Sequence, residues 1–330
     1  MTARTCLLVC LIPAALGSSA CEVGISAGGV EGTFDRSLTV TGPLELEVQT
    51  GSGAIQVRQG ASGSVQVHGR VRAGFGNWIS LDGSSAAERV RQIETDPPVE
   101  QSGNTIRLGR PRRANGWDGV SISYDITVPA NTKLVTRTGS GDLIIGDVSG
   151  PVEASTGSGD IRVGRTSEAV RATAGSGDIE LNGARSVVAR TGSGSVRALA
   201  VGDIEVHSGS GQVSVAQQEA GRVEVSTGSG DIDVRGARGP MHVRASSGDI
   251  NVEGTPMATW DVSASSGDVS VEVPATAAFD LDAHTRSGRI ETAFPVTTTG
   301  TLSKRELRGQ VRGGGPRLEV STSSGGIRIR

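Results

Sequence analysis

Pro151-Val152-Glu153-Ala154-Ser155-Thr156-Gly157-Ser158-Gly159-Asp160-Ile161-Arg162-Val163-Gly164 is the stretch on which most of the chain after Lys133 is patterned. Val152, Ala154 and Thr156 alternate with polar residues, a Gly157-Ser158-Gly159-Asp160 turn follows, and alternation resumes at Ile161 and Val163. A period of two puts alternate side chains on one face of an extended strand, so the unit reads as two short strands around a tight turn.

The last Gly of each turn recurs at 141, 159, 177, 194, 211, 230, 248, 267 and 288, a spacing of 17 to 19 residues until a final 21. A nearly constant circumference predicts a coil that closes on itself and stacks. Leu134, Val152, Val170, Val187, Ile204 and Val223 align before the turns, and Ile161 with Val163 and Ile179 with Leu181 align after them. These columns form the expected core. Glu153, Arg171, Glu205, Arg162 and Arg197 stand between them on a wet face. The fold class is therefore all-β: a parallel β-helix, a two-sheet β-solenoid of about 18 residues per coil, right-handed from the chirality of parallel crossovers. Nine coils at about 4.8 Å would make a rod on the order of 40 Å long.

Composition agrees with a thin core. Gly is 49 of 330 residues and aromatics are 2%, which leaves narrow sheets filled by Val, Ile and Ala. Formal charge is −3 with no basic block, so a nucleic-acid partner is not expected. The Gly-x-Gly turns lead into strands, without the helix start that cradles phosphate, and no cofactor is expected.

Arg4, the apolar run Cys6 to Leu16 and small Ser18-Ser19-Ala20 read as a signal peptide over residues 1–20. Cys21 is then the only cysteine of the mature chain. Its setting resembles the lipobox of bacterial lipoproteins, with Ser18 where that motif prefers Leu, and implies lipidation at Cys21. The expected location is an exported lipoprotein of the outer membrane or cell surface, with the periplasm or secretion as alternatives, and any membrane association runs through this anchor. Residues 21–37 read as a flexible tether. Residues 38–131 read as a β-rich cap with a strand pair through Val65, Val67 and Val71 and a short helix that Ser84 or Ser85 caps and Pro97-Pro98 ends. Its linker Arg110 to Gly119 carries Arg112, Arg113 and Trp117 and reads as a cap or insertion ahead of a ligand loop. Residues 132–330 are the solenoid, with a charged cap strand over Leu302 to Val311 and one last unit from Leu318 to Ile329.

Asp142, Asp160 and Asp178, with Asp231, Asp249 and Asp268, form a column at strand spacing. Stacked carboxylates are candidate Ca²⁺ ligands. The competing and preferred expectation is that each Asp bonds backbone N–H groups of its own turn while Gly supplies unusual dihedrals. Glycosidase or lyase chemistry would need two carboxylates in different environments, which equivalent repeats do not offer. His207 and His284 share an outward column four coils apart, too far for one metal. Thr138, Thr156, Thr191 and Thr227 share a column with Ala174, Ala245 and Ala264, so that column should turn inward.

The TGSGDI repeats, the segment Pro98-Val99-Glu100-Gln101-Ser102-Gly103-Asn104-Thr105-Ile106-Arg107, the strand Ser123-Tyr124-Asp125-Ile126-Thr127-Val128-Pro129 and Gly315-Pro316-Arg317-Leu318 resemble the bacterial DUF4097 family. The resemblance implies an exported β-helical protein, carries an inferred adhesin label, and brings no catalytic residues. Some members serve envelope-stress systems. The resulting expectation is a non-catalytic envelope binding or scaffold protein of adhesin type with an unknown envelope or surface ligand. Envelope-stress sensing is the alternative, ahead of a carbohydrate-active enzyme.

Overall fold

The computed structural model describes residues 24–26, 29–74, 85–109, 119–200, 202–298 and 303–330. Two 15-stranded sheets run the length of the molecule. Through the repeated coils from Thr132 onward, one holds longer strands such as Val152–Ser158 and Val223–Ser229 and the other shorter ones such as Ile161–Val163 and Val269–Glu272. Among the described residues, twelve coils each give one strand to either sheet, a stack on the order of 50 Å long.

The parallel register follows the sequence columns. Val152 pairs with Leu134 and Val170, and Ile161 with Leu143 and Ile179. Each inward residue is buried, from Leu134 and Ile161 at 0% exposure to Val152 at 2%. Because identical faces stack, the apolar columns merge into one continuous core between the sheets.

The turns are fixed by contact between layers. A Cβ at Gly159 would stand 2.2 Å from the Gly141 carbonyl oxygen, and one at Gly211 would stand 2.2 Å from that of Gly194. Gly177 and Gly211 also have φ of 141° and 130°, but Gly141 and Gly159 have no such φ. Close approach of the layers is thus the requirement common to the column, and unusual dihedrals are added only in some coils.

The Asp column works between coils. The Asp160 N–H donates to Asp142 Oδ1 at 3.0 Å, the Asp178 N–H to Asp160 Oδ1 at 3.0 Å, and the Asp268 N–H to Asp249 Oδ1 at 2.8 Å. The expectation that each Asp serves its own turn is corrected here. In a stack, the nearest unpaired N–H belongs to the next layer. The Thr column does turn inward: Thr156 is 4% exposed, and its hydroxyl donates to Gly141 O at 3.0 Å.

Two further departures concern the N-terminal end. Residues from Gly29 onward are not a tether: Gly29–Thr39 is a strand, antiparallel to Ser64–Ala73, with Val30 and Phe34 buried. Ser64–Ala73 is likewise one strand rather than a pair, lying antiparallel between Gly29–Thr39 and Val120–Val128. The helix is Ala86–Thr95, capped by Ser85 with Glu88 completing a capping box. It buries Val90 and Ile93, and Gly32 leaves room for Val90, whose Cγ1 a Cβ would meet at 2.5 Å. Ser84 lies outside the described residues.

Both ends also break sequence order. The coil Leu44–Thr50 with Ile55–Gln59 sits second in the stack, between the later Thr105–Leu108 with Val120–Val128 and the coil that starts at Thr132. At the other end, Arg317–Ser324 with Ile327–Ile329 is inserted between the coil of Trp260–Ser266 and the coil of Phe279–Ser287. The last unit of the sequence is therefore not the last coil. Glu306–Val311 then caps the long-strand sheet antiparallel to Phe279–Ser287, and Val296–Thr298 follows.

Candidate binding surface

The two outward faces carry the polar chemistry, and they differ. On the long-strand sheet, charged side chains pair along and across the columns. Arg107 Nε meets Glu47 Oε2 at 2.9 Å, Lys133 Nζ meets Glu45 Oε1 at 2.7 Å, and Arg137 Nη2 meets Glu153 Oε1 at 2.6 Å. The hydrogen bond and charge of Glu45 raise the Lys133 ammonium above its ordinary pKa. Near the far end, Arg317 bridges Asp282 and Glu319, both at 3.0 Å. That bridge exists only because the last unit is inserted next to the coil of Asp282.

His207, His242 and His284 lie on this sheet, and His68 on the other. His207 Nδ1 is 2.6 Å from Ser226 Oγ and His242 Nδ1 is 3.0 Å from Asp261 Oδ2. His68 is paired with Asp35 at 2.8 Å in the N-terminal antiparallel strands. The inserted coil places Ser321 between Ser263 and His284, so His207 and His284 stand five coils apart rather than four.

On the short-strand sheet one outward column runs in register from Arg162 through Glu180, Arg197 and Ser214 to Asp233, then through Asn251, Ser270 and Arg328 to Glu291. Three clefts open along it. The first, about 250 Å³, extends from Asp160 to Ser214. The second, about 160 Å³, holds Asp233, Asn251 and Ser270. The third, about 530 Å³, lies between Ser270 and Glu291. Gly326 takes a turn position that Asp268 occupies one coil earlier, with its N–H on Asp268 Oδ1 at 2.7 Å, and both line the third cleft.

Asp142, Asp160 and Asp178 edge this face in single file. One oxygen of each accepts a backbone N–H of the next coil, and Asp160 Oδ2 also meets Arg162 Nη2 at 2.8 Å. Among the described residues, no group of three or more His, Cys, Asp or Glu side chains converges as metal ligands would. Cys21, Arg112, Arg113 and Trp117 lie outside the described residues. The register column of the short-strand face was readable from the sequence alignment of units. Its last steps, from Ser270 to Arg328 to Glu291, required the inserted coil and were not.

One buried polar group stands apart from both faces. Burial pushes the Tyr124 phenol well above its ordinary pKa, and its hydroxyl has no hydrogen-bond partner.

Among the described residues, no helix is long and apolar enough to cross a membrane. No curated protein matches this sequence. Similar solved structures include a candidate cell adhesion protein from Clostridium sporogenes, at 10% identity over 90% of this chain and 98% of its own with a TM-score of 0.23. A candidate adhesin from Bacteroides fragilis shows 13% identity over 90% and 97%, TM-score 0.28. One from Parabacteroides distasonis shows 9% over 90% and 97%, TM-score 0.30. Residues 168–330, the later part of the stacked coils, match the Toastrack DUF4097 model.

Proposed function

We propose that this chain is a non-catalytic, exported scaffold of the bacterial cell envelope, held by a lipid on Cys21, that binds a surface ligand along a face of its rod in the manner of an adhesin. The observation that carries this reading is the rod itself. Its coils repeat polar side chains in straight register columns, and backbone bonds and close turn contacts between layers hold them in place. A surface of this kind presents many weak contacts at a fixed spacing, which suits multivalent attachment.

Fractionation and surface proteolysis of wild type beside Cys21→Ala test it. Wild type is expected in the membrane fraction and open to external protease, and the variant is expected to be released. Deletion of the chain should then lower attachment of the cell to its substratum. If both forms are soluble in the periplasm, the anchored-adhesin reading falls.

A further inference from the structure

We infer that the outward face of the short-strand sheet is a trough for an extended, uncharged glycan chain lying along the rod. The inference rests on the binding role proposed above and names its ligand class. The second and third clefts share Ser270. Ser214 of the first is the register neighbour of Asp233 in the second. The three clefts therefore follow one another along nine column positions, on the order of 40 Å. A row of clefts of that length and shallow section fits a linear polymer better than a compact molecule, which an enclosed pocket would take.

Charge decides which polymer. Eight carboxylates and six guanidinium groups line the three clefts. They are interleaved: Arg162 pairs with Asp160 at 2.8 Å and Arg235 with Asp233 at 2.9 Å, and Arg330 pairs with Glu272. A polyanion would meet like charge at Glu180, Asp233 and Glu291, and a polycation at Arg162, Arg197 and Arg328. A hydroxyl-rich neutral chain meets an acceptor or a donor at each step, because carboxylates accept, guanidinium groups donate, and Ser214, Asn251 and Ser270 do both. The coil repeat, on the order of 5 Å, is the size of one sugar residue. With no aromatic side chain lining the clefts, stacking contributes nothing, and affinity must come from many hydrogen bonds in series. Chain length should therefore govern it.

The test is calorimetric titration of the full chain with cellohexaose, chitohexaose and maltohexaose and their disaccharides, with heparin and polylysine as charged controls. At least one neutral hexasaccharide should bind about tenfold or more tightly than its disaccharide. The double variant Ser214→Arg/Ser270→Arg should abolish that binding, while Ser226→Arg on the opposite sheet leaves it unchanged. Hydrogen-exchange footprinting of wild type with the bound hexasaccharide keeps the test independent of how the variants fold. Protection is expected at Val213–Gln217, Ile250–Gly254 and Val269–Glu272, and not at Val223–Ser229. Absence of length-dependent binding by all three neutral series, preference for heparin or polylysine, or protection on the long-strand sheet would each overturn the inference. A chain that is surface-anchored yet binds none of the neutral series leaves the scaffold role standing and removes the trough. A chain that binds them but is not displayed at the surface does the reverse.

Discussion

At the scale of single residues, the turn shows which glycine matters and why. The last Gly of each turn faces a carbonyl oxygen of the neighbouring layer, at 2.2 Å from the added Cβ in Gly230. A Cβ at the first position, Gly228, would stand 2.6 Å from the Gly209 carbonyl oxygen, but this position tolerates a side chain, since Ser246 and Ser265 stand in later coils where Gly157 and Gly228 stand in earlier ones. Gly230→Ala should therefore cost about 2 kcal/mol or more, and Gly228→Ser clearly less, in urea denaturation. In the Asp column, Asp160→Asn keeps an oxygen for the Asp178 N–H, whereas Asp160→Ala leaves that donor without its carboxylate and should cost about 1 kcal/mol. A chelator should leave the melting temperature of both wild type and Asp160→Asn unchanged; a drop on chelation would restore a metal role for the column. Tyr124 supplies a pH dependence. Its folded pKa lies above the ordinary 10.0, so above that pH the unfolded chain loses a proton that the folded chain keeps, and stability falls as pH rises. Tyr124→Phe removes a buried hydroxyl with no partner. It should raise stability at neutral pH by about 1 kcal/mol and abolish this part of the alkaline loss, as read by melting at pH 7 and above pH 10.

Strands and coils were legible wherever the signal was local. The two-residue alternation, the turn position and the coil length all lie within one unit, and Val152–Ser158 and Ile161–Val163 form where that pattern places them. The order of coils is not a local property. Leu318 offers the same inward side chain to Trp260 as Leu281 would, and alternation cannot say which becomes the neighbour. The choice goes with contacts beyond the repeat: Phe279 packs edge-on against Phe294 at 5.7 Å between ring centres, and Phe279 pairs in the sheet with Val311 of the cap. The strand Gly29–Thr39 was missed for a related reason. Its glycines and acids look like a linker, but Gly32 and Gly69 make space for Val90 and the Phe34 ring, partners far away in sequence. Removal of residues 313–330 should expose both flanks of the gap. Hydrogen exchange is expected to accelerate in Trp260–Ser266 and in Phe279–Ser287 together, and loss of protection confined to Phe279–Ser287 would mean that the inserted coil is dispensable to its inner neighbour.

For the whole molecule, the candidate site was half legible. The outward columns follow from the same alternation that defines the core, so Arg162, Glu180 and Arg197 could be placed on one wet face from sequence. The cleft could not, because its third part is lined by Gly326 lying beside Asp268, two residues 58 positions apart. The ends of the stack are also where the molecule departs most from a simple repeat array. In such an array the terminal coil has one neighbour and comes away first. Here the coils nearest either end of the described sequence each have a neighbour on both sides.

This arrangement sets how the rod carries mechanical load. Tension applied through Arg330 reaches Ile327–Ile329 and Arg317–Ser324, which are hydrogen-bonded on both flanks. Those two ladders must shear at once, whereas a terminal coil would peel along a single edge one bond at a time. Pulled from that end, the protein should hold until a single high-force rupture and then lengthen abruptly, a response suited to a tether under flow.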